Sequence, residues 1–133
     1  MNSSLFGDVI YAYTRANAIE DGELVDVSDV AKEAGFRLNV AMTRSVWEQC
    51  VAWTDADSNK QTYQDESGRF WDVVHMLRMA INGFKDKSVM NYRLYVIPRD
   101  GKSRRPKLTT LKAMIHCGDE GEPVITVMLP NED

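Results

Sequence analysis

From residue 69 onward the apolar residues change their spacing once, and that change restricts the fold more than any other feature of the chain. In RFWDVVHMLRMAING, Arg69 to Gly83, the residues Phe70, Val73, Val74, Leu77 and Ile81 recur at steps of three and four. That is the spacing of one helix face, and Gly83 is placed to end it. Met76 and Met79 widen the apolar face. Beyond Gly83 the period drops to two. In VMNYRLYVI, Met90, Tyr92, Leu94 and Val96 alternate with Asn91, Arg93 and Tyr95, as in a strand with one buried side. Asp100-Gly101 in PRDGKSRRPK is a turn signal. LTTLKAMIHC returns with Leu111, Ala113, Ile115 and Cys117 on one side, GDEGEP turns again, and VITVML is a third strand stopped by Pro130. Such a succession is an antiparallel meander, and its apolar face needs a cover. The helix over 70–81 supplies one.

The first half of the chain is built from shorter pieces. Val9 to Tyr13 reads as a strand, Thr14 as the cap of a helix over Ala16 to Glu20, and Gly22 as its stop. Leu24 to Val27 is strand-like, and Ser28 is placed to cap DVAKEA, which ends at Gly35. The pattern repeats with a strand at Val40 to Met42, Thr43 as a cap, and a helix over Arg44 to Trp53. Residues 54–68, TDADSNKQTYQDESG, are polar and turn-rich and read as a solvent loop with room for a helical turn. The expected fold is α+β over one domain, 1–133: short βα units, then a central helix packed on a C-terminal three-stranded antiparallel meander.

A hydrophobic content of 44% is enough to build a core without staples, and the longest apolar runs are too short to cross a bilayer. Cys50 and Cys117 read as two reduced, largely buried thiols, which fits a cytoplasmic protein. With His75 and His116 they are the soft ligands of the chain, and none has a metal-binding spacing. Neither a Gly-rich phosphate loop nor a dinucleotide fingerprint is present, so no cofactor is expected. A net charge of −4 argues against nucleic-acid binding by the whole surface, while leaving room for a local basic patch.

Candidate chemistry lies in three places. Arg15 and Arg44 each follow a strand and a threonine at the first turn of a helix, where free amides favour an anion. Either arginine could instead pair with an acid, such as Asp8, Glu20 or Asp26. Asp72 and His75 lie three apart on the long helix, a spacing open to acid–base work and to a solvated salt-bridge row. Arg99, Lys102, Arg104, Arg105 and Lys107 crowd one hairpin tip, five cations in nine residues. Such a tip can enter a nucleic-acid groove, meet an acidic protein surface, or keep strand edges apart. The expected partner-binding residues are Arg15, Arg44 and the five cations of the tip; no catalytic or metal-ligating residue is assigned.

The segments LFGDVIYAYTRANAIEDGELVDVSDVAKEAGF, VAMTRSVW, SGRFWDVVHMLRMA and GDEGEPVITVMLPNED resemble a family of small proteins with a domain of unknown function. Its members are scattered over bacterial plasmids, phages and integrated elements. The resemblance implies an accessory role in a bacterial host cell, with antagonism of host defence as the usual kind. It points to a protein-binding inhibitor of a defence complex, of the anti-CRISPR or anti-restriction type. Two alternatives stand beside it. The opening strand, Thr-Arg, short helix, glycine and strand is similar to the start of ADP-ribosyltransferase domains, which implies a nucleotide-dependent transferase. The basic 99–107 hairpin suits a nucleic-acid-binding regulator.

Overall fold

A computed structural model describes residues 13–84 and 87–132. The strand expected at Val9 to Tyr13 lies outside the described residues except for Tyr13, which is not in a strand. The remaining strands form one five-stranded sheet: β1 (Leu24–Asp26), β2 (Asn39–Thr43), β3 (Val89–Val96), β4 (Lys107–Cys117) and β5 (Pro123–Met128). Their spatial order is β1-β2-β5-β4-β3. β3, β4 and β5 form the expected antiparallel meander, and β5 then pairs in parallel with β2. The fold is α+β, and the two halves of the chain share one mixed sheet.

The long helix covers one face. It runs as α5 from Glu66 to Ala80 and tightens into a 3₁₀ turn over Ile81–Gly83. Val73, Val74 and Leu77 are buried against Tyr92, Leu94, Leu111 and Ala113, and the Tyr92 hydroxyl donates to the Val73 carbonyl at 3.1 Å. Each fully buried aliphatic side chain here contributes about 1.5–3 kcal/mol by leaving water. Met76 and Met79 do not join this face. They are 37% and 65% exposed, because among the described residues the sheet ends at β3 and no strand lies beyond it to cover them.

The short helices are set by their caps. Thr14 and Asn17 form a reciprocal capping box at α1 (Arg15–Glu20), and Gly22, at φ +81°, takes the left-handed conformation beyond its end. Ser28 is not the cap of α2 (Ser28–Glu33). It lies inside the helix, and the Asp26 carboxylate accepts from both its N–H at 3.0 Å and its hydroxyl at 2.7 Å. Thr43 caps α3 (Arg44–Val46), which widens into a π turn over Trp47–Val51 and ends before Trp53. The polar segment after it is also partly helical: Thr54 and Asp57 form a second capping box at α4 (Asp55–Lys60). Cys50 is buried in the π turn, and desolvation pushes its thiol up to about 11. Cys117, expected to be buried, is exposed at the end of β4.

Candidate functional site

The two Thr-Arg corners resolve differently. At α1 the two amides free to bind an anion already have one. Asp119, on the turn between β4 and β5, accepts from the Arg15 N–H at 2.7 Å and from the Ala16 N–H at 2.9 Å. These bonds hold the Asp119 carboxyl below the usual carboxylate range. The Arg15 side chain turns inward and donates to the Thr126 hydroxyl at 2.7 Å and to the Ile125 carbonyl at 2.8 Å. Among the described residues Arg15 forms no ion pair, and burial lowers its guanidinium below the usual value. His116 Nε2 lies 2.7 Å from the same Thr126 oxygen. Because Thr126 leaves the sheet opposite Ile125 and Val127, this network fastens α1 to the face away from α5. A cleft of about 390 Å³ lies here, and Arg15, His116, Asp119 and Thr126 in its lining are already engaged in these bonds.

The Asp119 contact has a pH consequence. A carboxylate depressed in the folded state contributes stability that is present above its unfolded value of about 3.9 and lost as pH falls through the folded value. Asp119→Asn is therefore expected to lower the melting temperature at pH 7. Its melting curve should converge on that of the wild type in acid. Circular-dichroism melts at a series of pH values read both effects.

Arg44 differs from Arg15. It stands at the surface and pairs with Glu23 at 2.8 Å, with both side chains more than half exposed. A pair so placed adds little stability. On α5, the His75 ring stacks on Trp71 at 5.5 Å, and no hydrogen bond joins it to Asp72 among the described residues. The described residues contain no group of three or more His, Cys, Asp or Glu side chains able to hold a metal ion.

The basic segment is a ten-residue loop over 97–106 rather than a tight hairpin, and its shape is fixed from beneath. Gln61, only 4% exposed, reaches into it from the end of α4. Its amide donates to the Pro98 carbonyl at 2.7 Å and the Ser103 carbonyl at 2.6 Å, and its oxygen accepts from the Gly101 N–H at 3.1 Å. Gly101, at φ +84°, supplies the left-handed turn that brings this N–H inward. Asp100 accepts from the Ser103 hydroxyl and from the N–H groups of Ser103 and Lys102, which depresses its carboxyl. Arg99 lies at the base of the loop, held by Asp57 at 2.8 Å and Glu48 at 3.2 Å.

A second anchor stands beside Gln61. Arg69, 5% exposed, donates to the carbonyls of Val51 at 3.1 Å, Gln49 at 3.2 Å and Ile97 at 3.0 Å, and to the Gln64 side chain at 2.7 Å. Its guanidinium lies 4.5 Å from the centre of the Trp53 ring. One side chain thus closes the π turn and pins the start of the basic loop.

On this base Lys102, Arg104, Arg105 and Lys107 are all exposed, and none is in an ion pair among the described residues. Of the seven expected partner-binding residues, the structure brings these four together on one surface. Arg99 supports them, Arg44 stands apart, and Arg15 serves the interior. Gln61 escapes notice in the sequence because it sits among polar neighbours in a segment that looks solvent-facing, and Arg69 because the backbone carbonyls it serves lie on distant segments.

The whole chain, residues 1–133, matches the model of a family described as Family of unknown function (DUF6573). No curated protein and no solved structure matches it.

Proposed function

This chain belongs to the DUF6573 family of unknown function, and from its geometry we propose that it acts by docking onto an acidic protein surface, without chemistry of its own. The observation that carries the reading is the loop over 97–106. Three exposed cations, Lys102, Arg104 and Arg105, stand on a backbone fixed by a buried glutamine, with Lys107 beside them at the start of β4, so the charge is presented in one geometry. Fixing the loop before encounter lowers the entropy lost on binding. Clustered charge of one sign also steers an oppositely charged partner toward the site. In a bacterial host cell the partner we propose is a component of a defence complex of the CRISPR or restriction kind, which the protein inhibits by occupying its surface.

The transferase reading has less support. Its anion anchor would be the Thr14-Arg15 corner, where Asp119 occupies the amides and Thr126 and Ile125 hold the guanidinium. Affinity capture from a nuclease-treated bacterial lysate, eluted with rising salt, tests the docking reading. The expected result is a protein complex retained at low salt and released as salt screens the contact. Capture that requires intact nucleic acid would replace it with the regulator reading.

A further inference from the structure

The outer edge of the sheet carries a second surface. Among the described residues β3 is an edge strand, eight residues long, paired to β4 without a bulge and free of proline. Natural edges are usually blunted by one of those devices or by several charges. Here Lys87 and Arg93 are the charges along the edge among the described residues, and most of the remaining flank is apolar. A cleft of about 970 Å³ follows the edge, lined by Met76 and Met79 from α5 and by Val89, Tyr95 and Leu108 from the strands. These five side chains are between 37% and 67% exposed.

The direction of the free main-chain groups can be read from the ladder. The Ile115 N–H donates to the Ser88 carbonyl at 2.8 Å, in register with the β3–β4 pairs that follow. In an antiparallel ladder such groups alternate, so even-numbered residues of β3 bond to β4. Val89, Asn91, Arg93 and Tyr95 therefore aim their N–H and C=O groups at the open side. All four side chains are exposed.

We propose that this edge pairs with the same edge of a second copy of the chain, antiparallel about a two-fold axis at Tyr92. That register sets Tyr95 against Val89 of the other copy, an aromatic–β-branched pair of the kind that stabilises sheets. It sets Arg93 against Asn91 of the other copy, so the one charged side chain on this row of β3 meets an amide oxygen. Centring the axis on Arg93 instead would oppose two arginines directly, which is unfavourable. The row is thus complementary to itself in this register, with no like charges opposed, and this favours a second copy as the occupant. The two sheets become one continuous sheet, and Met76 and Met79 of each copy close over the seam. The basic loops then lie at opposite ends of the seam, about ten strand residues or about 33 Å apart, which makes the dimer bivalent toward a repeating acidic partner.

Light scattering coupled to size exclusion, over a dilution series, tests the seam without reference to any partner. The wild type is expected at twice the chain mass of 15.1 kDa. Asn91→Pro removes an outward N–H while leaving the β3–β4 ladder intact, and should give the single-chain mass with an unchanged far-ultraviolet spectrum. Tyr95→Lys should dissociate the dimer, and Val89→Glu with Tyr95→Lys should restore it by placing opposite charges across the seam. A wild type of single-chain mass throughout would overturn the proposal. So would a dimer that survives Asn91→Pro, or a double variant that fails to reassociate. None of these results bears on the docking loop, whose test is retention of a partner.

Discussion

Arg69→Ala is expected to be the most destabilising single substitution in the molecule. It would strip the buried carbonyls of Val51 and Ile97 of their donor, and it would remove the cation lying on Trp53. Each buried acceptor left unmet costs about 1–3 kcal/mol, and a desolvated cation–π contact contributes up to about 2 kcal/mol. A combined loss of about 3–5 kcal/mol is a large part of the ~5–15 kcal/mol that holds a typical domain folded. Arg69→Lys should recover little. An ammonium cannot reach three carbonyls in divergent directions as the planar fork does. Urea unfolding followed by tryptophan fluorescence measures both variants. A midpoint shift equivalent to less than about 1 kcal/mol for Arg69→Ala would show that the guanidinium is not the keystone of this end of the fold.

Reversing the loop charges should have the opposite character: no effect on folding and a large effect on docking. Lys102→Glu, Arg104→Glu, Arg105→Glu and Lys107→Glu all fall at exposed positions outside the supporting hydrogen bonds made by side chains. Such substitutions usually change stability by no more than about 0.5 kcal/mol each. Association with an acidic surface should slow by at least about a hundredfold at low salt, since steering of this kind changes on-rates by 10–10³. Gln61→Ala is the informative companion. It keeps every cation and releases the loop, leaving the Pro98 and Ser103 carbonyls and the Gly101 N–H without their partner. Its expected signature is a lower melting temperature with a partial loss of affinity. Surface plasmon resonance at two salt concentrations separates the variants. Full affinity in the fourfold reversal would move the interface elsewhere.

Features that depend on near neighbours were legible in the sequence. The three- and four-residue steps of Phe70 to Ile81 describe α5, and the alternation of Met90 to Val96 describes β3, because both patterns are local consequences of burying one side. Thr14 and Thr43 cap as their positions imply. β5 gives a subtler signal. Val124 to Met128 are buried without alternation, as happens in a strand covered on both faces. That continuous run already points to a central strand, flanked here by β2 and β4.

Features that depend on distant residues were not legible. The parallel pairing of β2 with β5 joins segments more than eighty residues apart, and no local pattern encodes it. Asp119 meets Arg15 across 104 residues, so an internal anion reads in sequence as part of an acidic turn. The polar segment 54–68 looked like a solvent loop because its composition is that of one. The burial of Gln61 comes from pairing with residues 98–103 that composition does not express, whereas the capping box at Thr54 is local and fits the helical turn for which the segment had room. The cations of 99–107 were visible as a cluster, but the separation of Arg99, which supports the loop, from the four that face outward follows from Asp57 and Glu48.

In the docking function we propose, a rigid charged exterior acts without a reaction. Titrating a captured partner with this protein and weighing both intact by mass spectrometry tests it most directly. The effect is expected to reach its plateau when the two are present in equimolar chains, with both masses unchanged. A complete, time-dependent effect from a trace of the protein, accompanied by added mass on the partner, would contradict it.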